Sequence, residues 1–159
     1  MQTRRFTRLP GMTLAVLLTL VGAPGLVFGP EAHADGGGCS EATLRGAYGI
    51  QLQGTQPAGP DGRIESVVGV VRRVYDGKGQ FTQVANVKGS ITGIVPDLEG
   101  SGTYEVAEDC TGVATFEPVP GVVITEKLVI VALGLEVFTI VSDPPLNMVS
   151  AVHKKIGVH

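Results

Sequence analysis

The stretch Leu44-Arg45-Gly46-Ala47-Tyr48-Gly49-Ile50-Gln51-Leu52-Gln53 decides how the fold is read. Leu44, Gly46, Tyr48, Ile50 and Leu52 alternate with Arg45, Ala47, Gly49, Gln51 and Gln53, a two-residue period that gives a strand one buried face. Beyond Asp35 no apolar 3.6-residue repeat runs over ten or more positions, whereas alternation and β-branched runs recur, so the domain is predicted all-β. Residues 56–62 read as a loop and 63–75 as a long second strand. Asp76-Gly77-Lys78-Gly79 is a hairpin signal, its glycines supplying positive φ, and it returns the chain into 80–88. Residues 89–100 contain Pro96 and read as a connection with a short strand around 91–95. Then 101–107 pairs across Glu108-Asp109 with 110–117, and 127–133, 135–142 and 147–156 follow, separated by turns at Gly134 and Pro144-Pro145. Eight strands joined in sequence order predict a single eight-stranded antiparallel up-and-down barrel, because closure removes the exposed edges of apolar strands. A two-sheet β-sandwich is the alternative.

At 159 residues the chain is long enough for one domain. It is 43% apolar and 17% charged, which argues against wholesale disorder, and its 23 glycines and 10 prolines suit many tight turns. A formal net charge of −3 gives no basic footprint, so neither nucleic acid nor an anionic membrane surface is expected as a partner.

Residues 1–34 read as a secretory signal peptide. Arg4, Arg5 and Arg8 precede an uncharged stretch, 9–30, whose apolar block is 14–21, and Ala32-His33-Ala34 offers a small-x-small cleavage site before Asp35. Gly22, Pro24 and Gly25 interrupt the stretch and disfavour a membrane anchor. The β-barrel domain is then 35–159, secreted to a periplasm or to the extracellular space. Cys39 and Cys110 survive cleavage, and in an oxidising compartment a disulfide is their default state.

Cys39-Ser40, Thr43-Leu44, Gly46, Tyr48-Gly49, Tyr75-Asp76-Gly77-Lys78-Gly79, Gly102-Thr103-Tyr104 and Asp109-Cys110-Thr111-Gly112 together carry a resemblance. The pattern resembles a group of small secreted bacterial proteins that is similar to the allene-oxide-cyclase-like, lipocalin-like β-barrels. The resemblance implies a barrel and export, and no activity. The chain departs from the group at Val71, where a small residue is usual, and at Arg73, where an aromatic is usual.

After residue 34 the only histidines are His153 and His159, so no metal site is expected, and Asp76-Gly77-Lys78-Gly79 lacks the alternating carboxylates of a calcium loop. No Gly-x-Ser-x-Gly elbow or phosphate-cradling loop is present, which disfavours conventional hydrolases, kinases and dehydrogenases; no cofactor and no catalytic residue is assigned. Arg72 is the only charge in the more apolar stripe of the second strand, with Ile64, Ser66, Val68, Val70 and Val74. If that stripe faced the lumen, its guanidinium could hold a ligand carboxylate, with the Tyr48 hydroxyl as a second anchor. The bland reading has Arg72 snorkel to solvent. Residues 128–133 and 137–141 are apolar on both faces, which points to a homo-oligomer interface, a sandwich centre, or cover by the 89–100 loop. Three functions fit these features. One is a barrel binding a small apolar ligand in its lumen, another a cyclase or isomerase working by substrate orientation in a shaped cavity, and the third a structural envelope protein with a filled barrel.

Overall fold

A computed structural model describes residues 38–59 and 61–157. The expected signal peptide and its cleavage site lie outside these residues. Eight strands run β1 (Gly46–Ala58), β2 (Arg63–Tyr75), β3 (Gln80–Gly89), β4 (Gly93–Val106), β5 (Thr111–Val119), β6 (Val122–Val131), β7 (Glu136–Asp143) and β8 (Met148–Lys155). Each pairs antiparallel with its sequence neighbour, and β1 also pairs with β8, from Tyr48↔Lys155 to Thr55↔Met148. The barrel is therefore closed, up-and-down throughout, and the sandwich alternative is excluded.

Three segments differ from the sequence reading. Leu44 is not in the first strand: it ends a 3-10 helical turn, Glu41–Leu44, and the strand continues to Ala58 through part of the expected loop. The expected connection at 89–100 is a turn followed by the first half of β4. Pro96 is tolerated there because the register between β3 and β4 shifts at Ala85/Val87, a bulge where the missing N–H breaks no ladder bond, and Asp97 takes a positive φ of 50°. Of the expected strand 127–133, residues 127–131 are the last part of a longer strand, β6, while 132 and 133 belong to the 3-10 turn Ala132–Gly134, in which Leu133 is 96% exposed.

The two ends of the barrel are built differently. At the lower end lie the β2–β3, β4–β5 and β6–β7 turns, and the Glu41–Leu44 turn folds beneath them. Leu44 is fully buried against the core. Tyr104 Oη donates to the Glu41 carbonyl at 3.0 Å and accepts from Gly77 N at 3.0 Å, while Tyr48 Oη donates to the Gly134 carbonyl. Tyr48 and Tyr104 both set their rings edge-on to Tyr75, at centroid distances of 5.3 and 4.9 Å. The lower lumen is thus filled with aromatic side chains. Cys39 and Cys110 form the expected disulfide, and Cys39 N donates to the Glu108 carbonyl at 3.1 Å, fixing the segment before β1 to the β4–β5 turn.

At the upper end Glu65 performs the corresponding task with hydrogen bonds alone. Its carboxylate accepts from Ile91 N at 2.9 Å, Thr92 N at 3.0 Å, the Thr92 hydroxyl and Gln56 Nε2, which holds the β3–β4 turn against β1 and β2. These donors, the Thr92 backbone foremost, bring its pKa down to about 2.

The disulfide spans a sequence separation of 71 residues. A bridge closing a loop of that length stabilises a fold by roughly 4 kcal/mol in the chain-entropy account, and less in practice. Replacing both cysteines with Ala should lower the unfolding free energy by about 2–4 kcal/mol in urea titration with an unchanged far-ultraviolet dichroism spectrum; a loss below about 0.5 kcal/mol would contradict the role given to the bridge.

Candidate functional site

Which face of β2 points inward decides the chemistry of the lumen. Glu65, Val67, Val71, Arg73 and Tyr75 are buried, while Ile64, Val68 and Val70 are 52%, 54% and 61% exposed. The conditional reading in which the Arg72 stripe faces the lumen is thereby overturned, and the alternative in which Arg72 reaches solvent holds. Arg72 is exposed on the outside, at an open groove it shares with Val74, Thr82, Val84 and Glu99. Tyr48 is inside as expected, but it belongs to the packed lower end, where burial chiefly raises its pKa to about 12. The structure does not bring Arg72 and Tyr48 together.

Arg73 is the luminal cation. It is 2% exposed, and its Nη1 donates to Glu126 Oε2 at 2.9 Å. Glu126 lies on β6, four strands from β2 by either route around the ring, so this ion pair crosses the whole lumen. Arg73 Nε donates to Gln83 Oε1 at 2.8 Å and Nη1 to Tyr75 Oη at 3.3 Å. Its guanidinium also lies 4.2 Å from the ring centroid of Phe81 and 5.2 Å from that of Phe116. Desolvated cation–π contacts of this kind contribute about 2 kcal/mol. Burial pulls the Arg73 pKa down, but the Glu126 and Tyr75 contacts outweigh it and the net shift is upward.

Gly102 makes this arrangement possible. It stands between Phe81 and Phe116 in the ladder, and a Cβ there would meet the Thr115 carbonyl at 2.4 Å and the Phe81 ring at 2.6 Å. With no side chain between them, the two rings come within 6.1 Å of each other under the guanidinium.

A polar chain extends the crossing toward β7 and β8. Tyr75 Oη lies 3.2 Å from His153 Nδ1, and Thr139 Oγ1 lies 3.3 Å from His153 Nε2. His153 is fully buried, and desolvation, reinforced by Arg73, drives its pKa well below 6.5. The imidazole is therefore neutral at pH 7.

Above the ion pair the lumen is not filled. A cavity of about 90 Å³ is lined by Ile50, Leu52, Val71, Val87, Leu98 and Phe116 among its apolar residues, with Arg73, Gln83, Glu126, Thr139 and Ser150 as its polar residues. Arg73 Nη2 and Glu126 Oε1 make no hydrogen bond among the described residues. Asn147 Oδ1 is the only fully buried side-chain polar atom without a partner among those residues, so both of these atoms reach the cavity. The site thus offers an apolar wall, guanidinium donors and a carboxylate acceptor. No cluster of three or more His, Cys, Asp or Glu side chains is placed to hold a metal among the described residues. No helix among them is long and apolar enough to cross a membrane.

None of Arg73, Glu126, Thr139 and His153 is given a role in a site by the sequence reading, where Arg73 stands only as a departure from the resembling group and His153 only as one of two histidines. One signal was available for Arg73: Tyr75 and Phe81 flank the hairpin turn as a ladder pair, so if Phe81 points inward, Tyr75 and Arg73 do too. Compared with family models, with curated proteins and with solved structures, the chain matches none.

A buried ion pair resists removal of one partner far more than removal of both. Arg73→Met should cost about 3–5 kcal/mol by leaving the Glu126 charge buried alone, and adding Glu126→Leu should recover most of that loss. Urea denaturation of the two variants checks this, and additive losses would show that the charges do not act as a pair.

Proposed function

We propose that this protein is an exported barrel that binds a small neutral amphipathic molecule in its upper lumen. The observation that carries the reading is the cavity of about 90 Å³ whose apolar wall meets unpartnered Arg73 Nη2 and Glu126 Oε1. Because the cation and the anion neutralise each other, the floor favours an uncharged head that both accepts and donates hydrogen bonds, rather than the carboxylate expected for a lone arginine. The cavity holds on the order of six water-sized groups, far below the ≈ 300 Å³ where pockets for drug-sized ligands begin. The ligand is therefore a compound of about six heavy atoms, or the end of a longer one reaching in from the mouth. Export is supported by the charged and apolar pattern of residues 1–34 together with the Cys39–Cys110 disulfide.

Native mass spectrometry of protein purified from its own host should find a small molecule retained by the wild type and absent from Leu52→Trp, whose indole fills the cavity. A retained compound that is chemically altered on incubation would replace binding by the cyclase reading of the same cavity. Absence of any retained species, together with unmoved methyl resonances of Ile50, Leu52 and Val71 against a panel of five- and six-membered cyclic compounds, would leave the filled barrel.

We also propose that the outer face of β6, β7 and β8 contacts a second copy of this chain. Val129, Phe138 and Val152 are ladder neighbours across those strands, and Ile140 beside them is 56% exposed. The 89–100 segment, as the turn before β4 and its first half, lies between β3 and β5 and does not cover them. Lys127, Lys154 and Glu136 frame the patch, so a two-fold arrangement can set cation against anion around an apolar centre. Sedimentation velocity should show a dimer that Phe138→Lys converts to monomer; a wild type monomeric at every concentration overturns the interface.

A further inference from the structure

We propose that Thr139 is the specificity-determining residue of the upper lumen, its hydroxyl held as a donor to a ligand carbonyl by the hydrogen-bond direction of the Arg73–Tyr75–His153 chain. The inference rests on the binding reading above and deepens it.

The direction of every proton in the chain follows from its first member. Arg73 Nη1 can only donate, so Tyr75 Oη accepts from it at 3.3 Å. The Tyr75 proton must then go elsewhere, and His153 Nδ1, at 3.2 Å, is the acceptor within reach. Were Nδ1 to carry the imidazole proton, the Tyr75 hydrogen would be stranded inside a residue that is 1% exposed. His153 is therefore the Nε2–H tautomer, and Nε2 donates to Thr139 Oγ1 at 3.3 Å. One lone pair of the threonine is thereby occupied, and its own hydrogen is free to donate.

No acceptor for the Thr139 hydrogen is found among the described residues, and Thr139 lines the cavity. A β-branched residue on a strand has few χ1 choices, so the hydroxyl stays where His153 holds it. The cavity then presents three donors, the Thr139 hydroxyl, Arg73 Nη2 and the Gln83 amide nitrogen, with Glu126 Oε1 as the acceptor carboxylate oxygen, the Gln83 oxygen being taken by Arg73 Nε. The complementary head is a carbonyl oxygen, which takes the Thr139 and Arg73 donors, with an adjacent N–H that gives to Glu126. A small lactam or primary amide has this pattern, whereas a simple ketone satisfies only the donors and a cycloalkane satisfies neither.

The test uses three five-membered rings: 2-pyrrolidinone, cyclopentanone and cyclopentane, each titrated into the isotope-labelled protein and followed by chemical-shift changes. The wild type should bind them in that order of decreasing affinity. Thr139→Val should weaken 2-pyrrolidinone about fivefold and leave cyclopentane unchanged, and Thr139→Ser should restore the wild-type preference. Independently of any ligand, the imidazole nitrogen shifts of His153 should report the Nε2–H tautomer in the wild type and lose that bias in Tyr75→Phe. An Nδ1–H tautomer or an imidazolium at pH 7, or a Thr139→Val variant that binds 2-pyrrolidinone as tightly as wild type, overturns the inference and leaves the luminal binding site standing. If none of the three rings binds the wild type, the binding reading and the inference fall together, whatever the tautomer.

Discussion

The Arg73–Glu126 ion pair is the constraint around which the interior is arranged. Two charges removed from water are costly unless their geometry is good and their remaining atoms are satisfied. Here Phe81 and Phe116 supply a π surface for the guanidinium, Gln83 accepts from its Nε and Tyr75 from its Nη1, and Gly102 clears the space that lets the rings approach. Because the pair joins opposite walls, it also partitions the lumen. Below it, tyrosines and Leu44 fill the barrel; above it, side chains such as Leu52, Val87 and Leu98 leave room. The packed lower half and the hollow upper half meet at one interaction.

The architecture was largely legible in the chain because up-and-down barrels are local objects. Each turn signal, Asp76-Gly77-Lys78-Gly79 above all, joins strands that pair with each other, so reading the turns reads the topology. Residues 63–75 coincide with β2. What escaped were features that depend on a distant partner. Pro96 looked like a strand breaker because the bulge that accommodates it, Pro96 and Asp97 opposite the single residue Asn86, exists only through the pairing of β4 with β3. The inward face of β2 looked like the outward one because Glu65 and Arg73 are charged, and their compensation comes from Thr92 and Glu126, far along the chain. Counting apolar residues on an isolated strand assigns such a face to water, and here Ile64, Val68 and Val70 took that place instead. The disulfide was legible from cysteine number and expected compartment alone.

The two ends of the barrel show different ways of holding a turn in place. The lower end uses a covalent bridge, a buried leucine and tyrosine hydroxyls, and it is where the aromatic mass is concentrated. The upper end uses one carboxylate, Glu65, gripping backbone amides that are otherwise accessible to solvent. The covalently bridged end is remote from the cavity, and the end held by hydrogen bonds lies on the cavity's side of the ion pair.

Seven of the eight strand pairings are hairpins between sequence neighbours, and the seam between β1 and β8 alone joins the extremes of the domain. Such a seam is entropically the most expensive contact to make and sets the pace of folding in barrels of this connectivity. Cys39 precedes β1 by way of the Glu41–Leu44 turn and Cys110 immediately precedes β5, so their bond links two strands that stand on opposite sides of the ring. Once that bond exists, β1 is tethered halfway around, and β8 must search only the remaining arc to find it. Oxidation therefore acts on the order of assembly as well as on the finished structure, shortening the one long-range step that the connectivity leaves to chance.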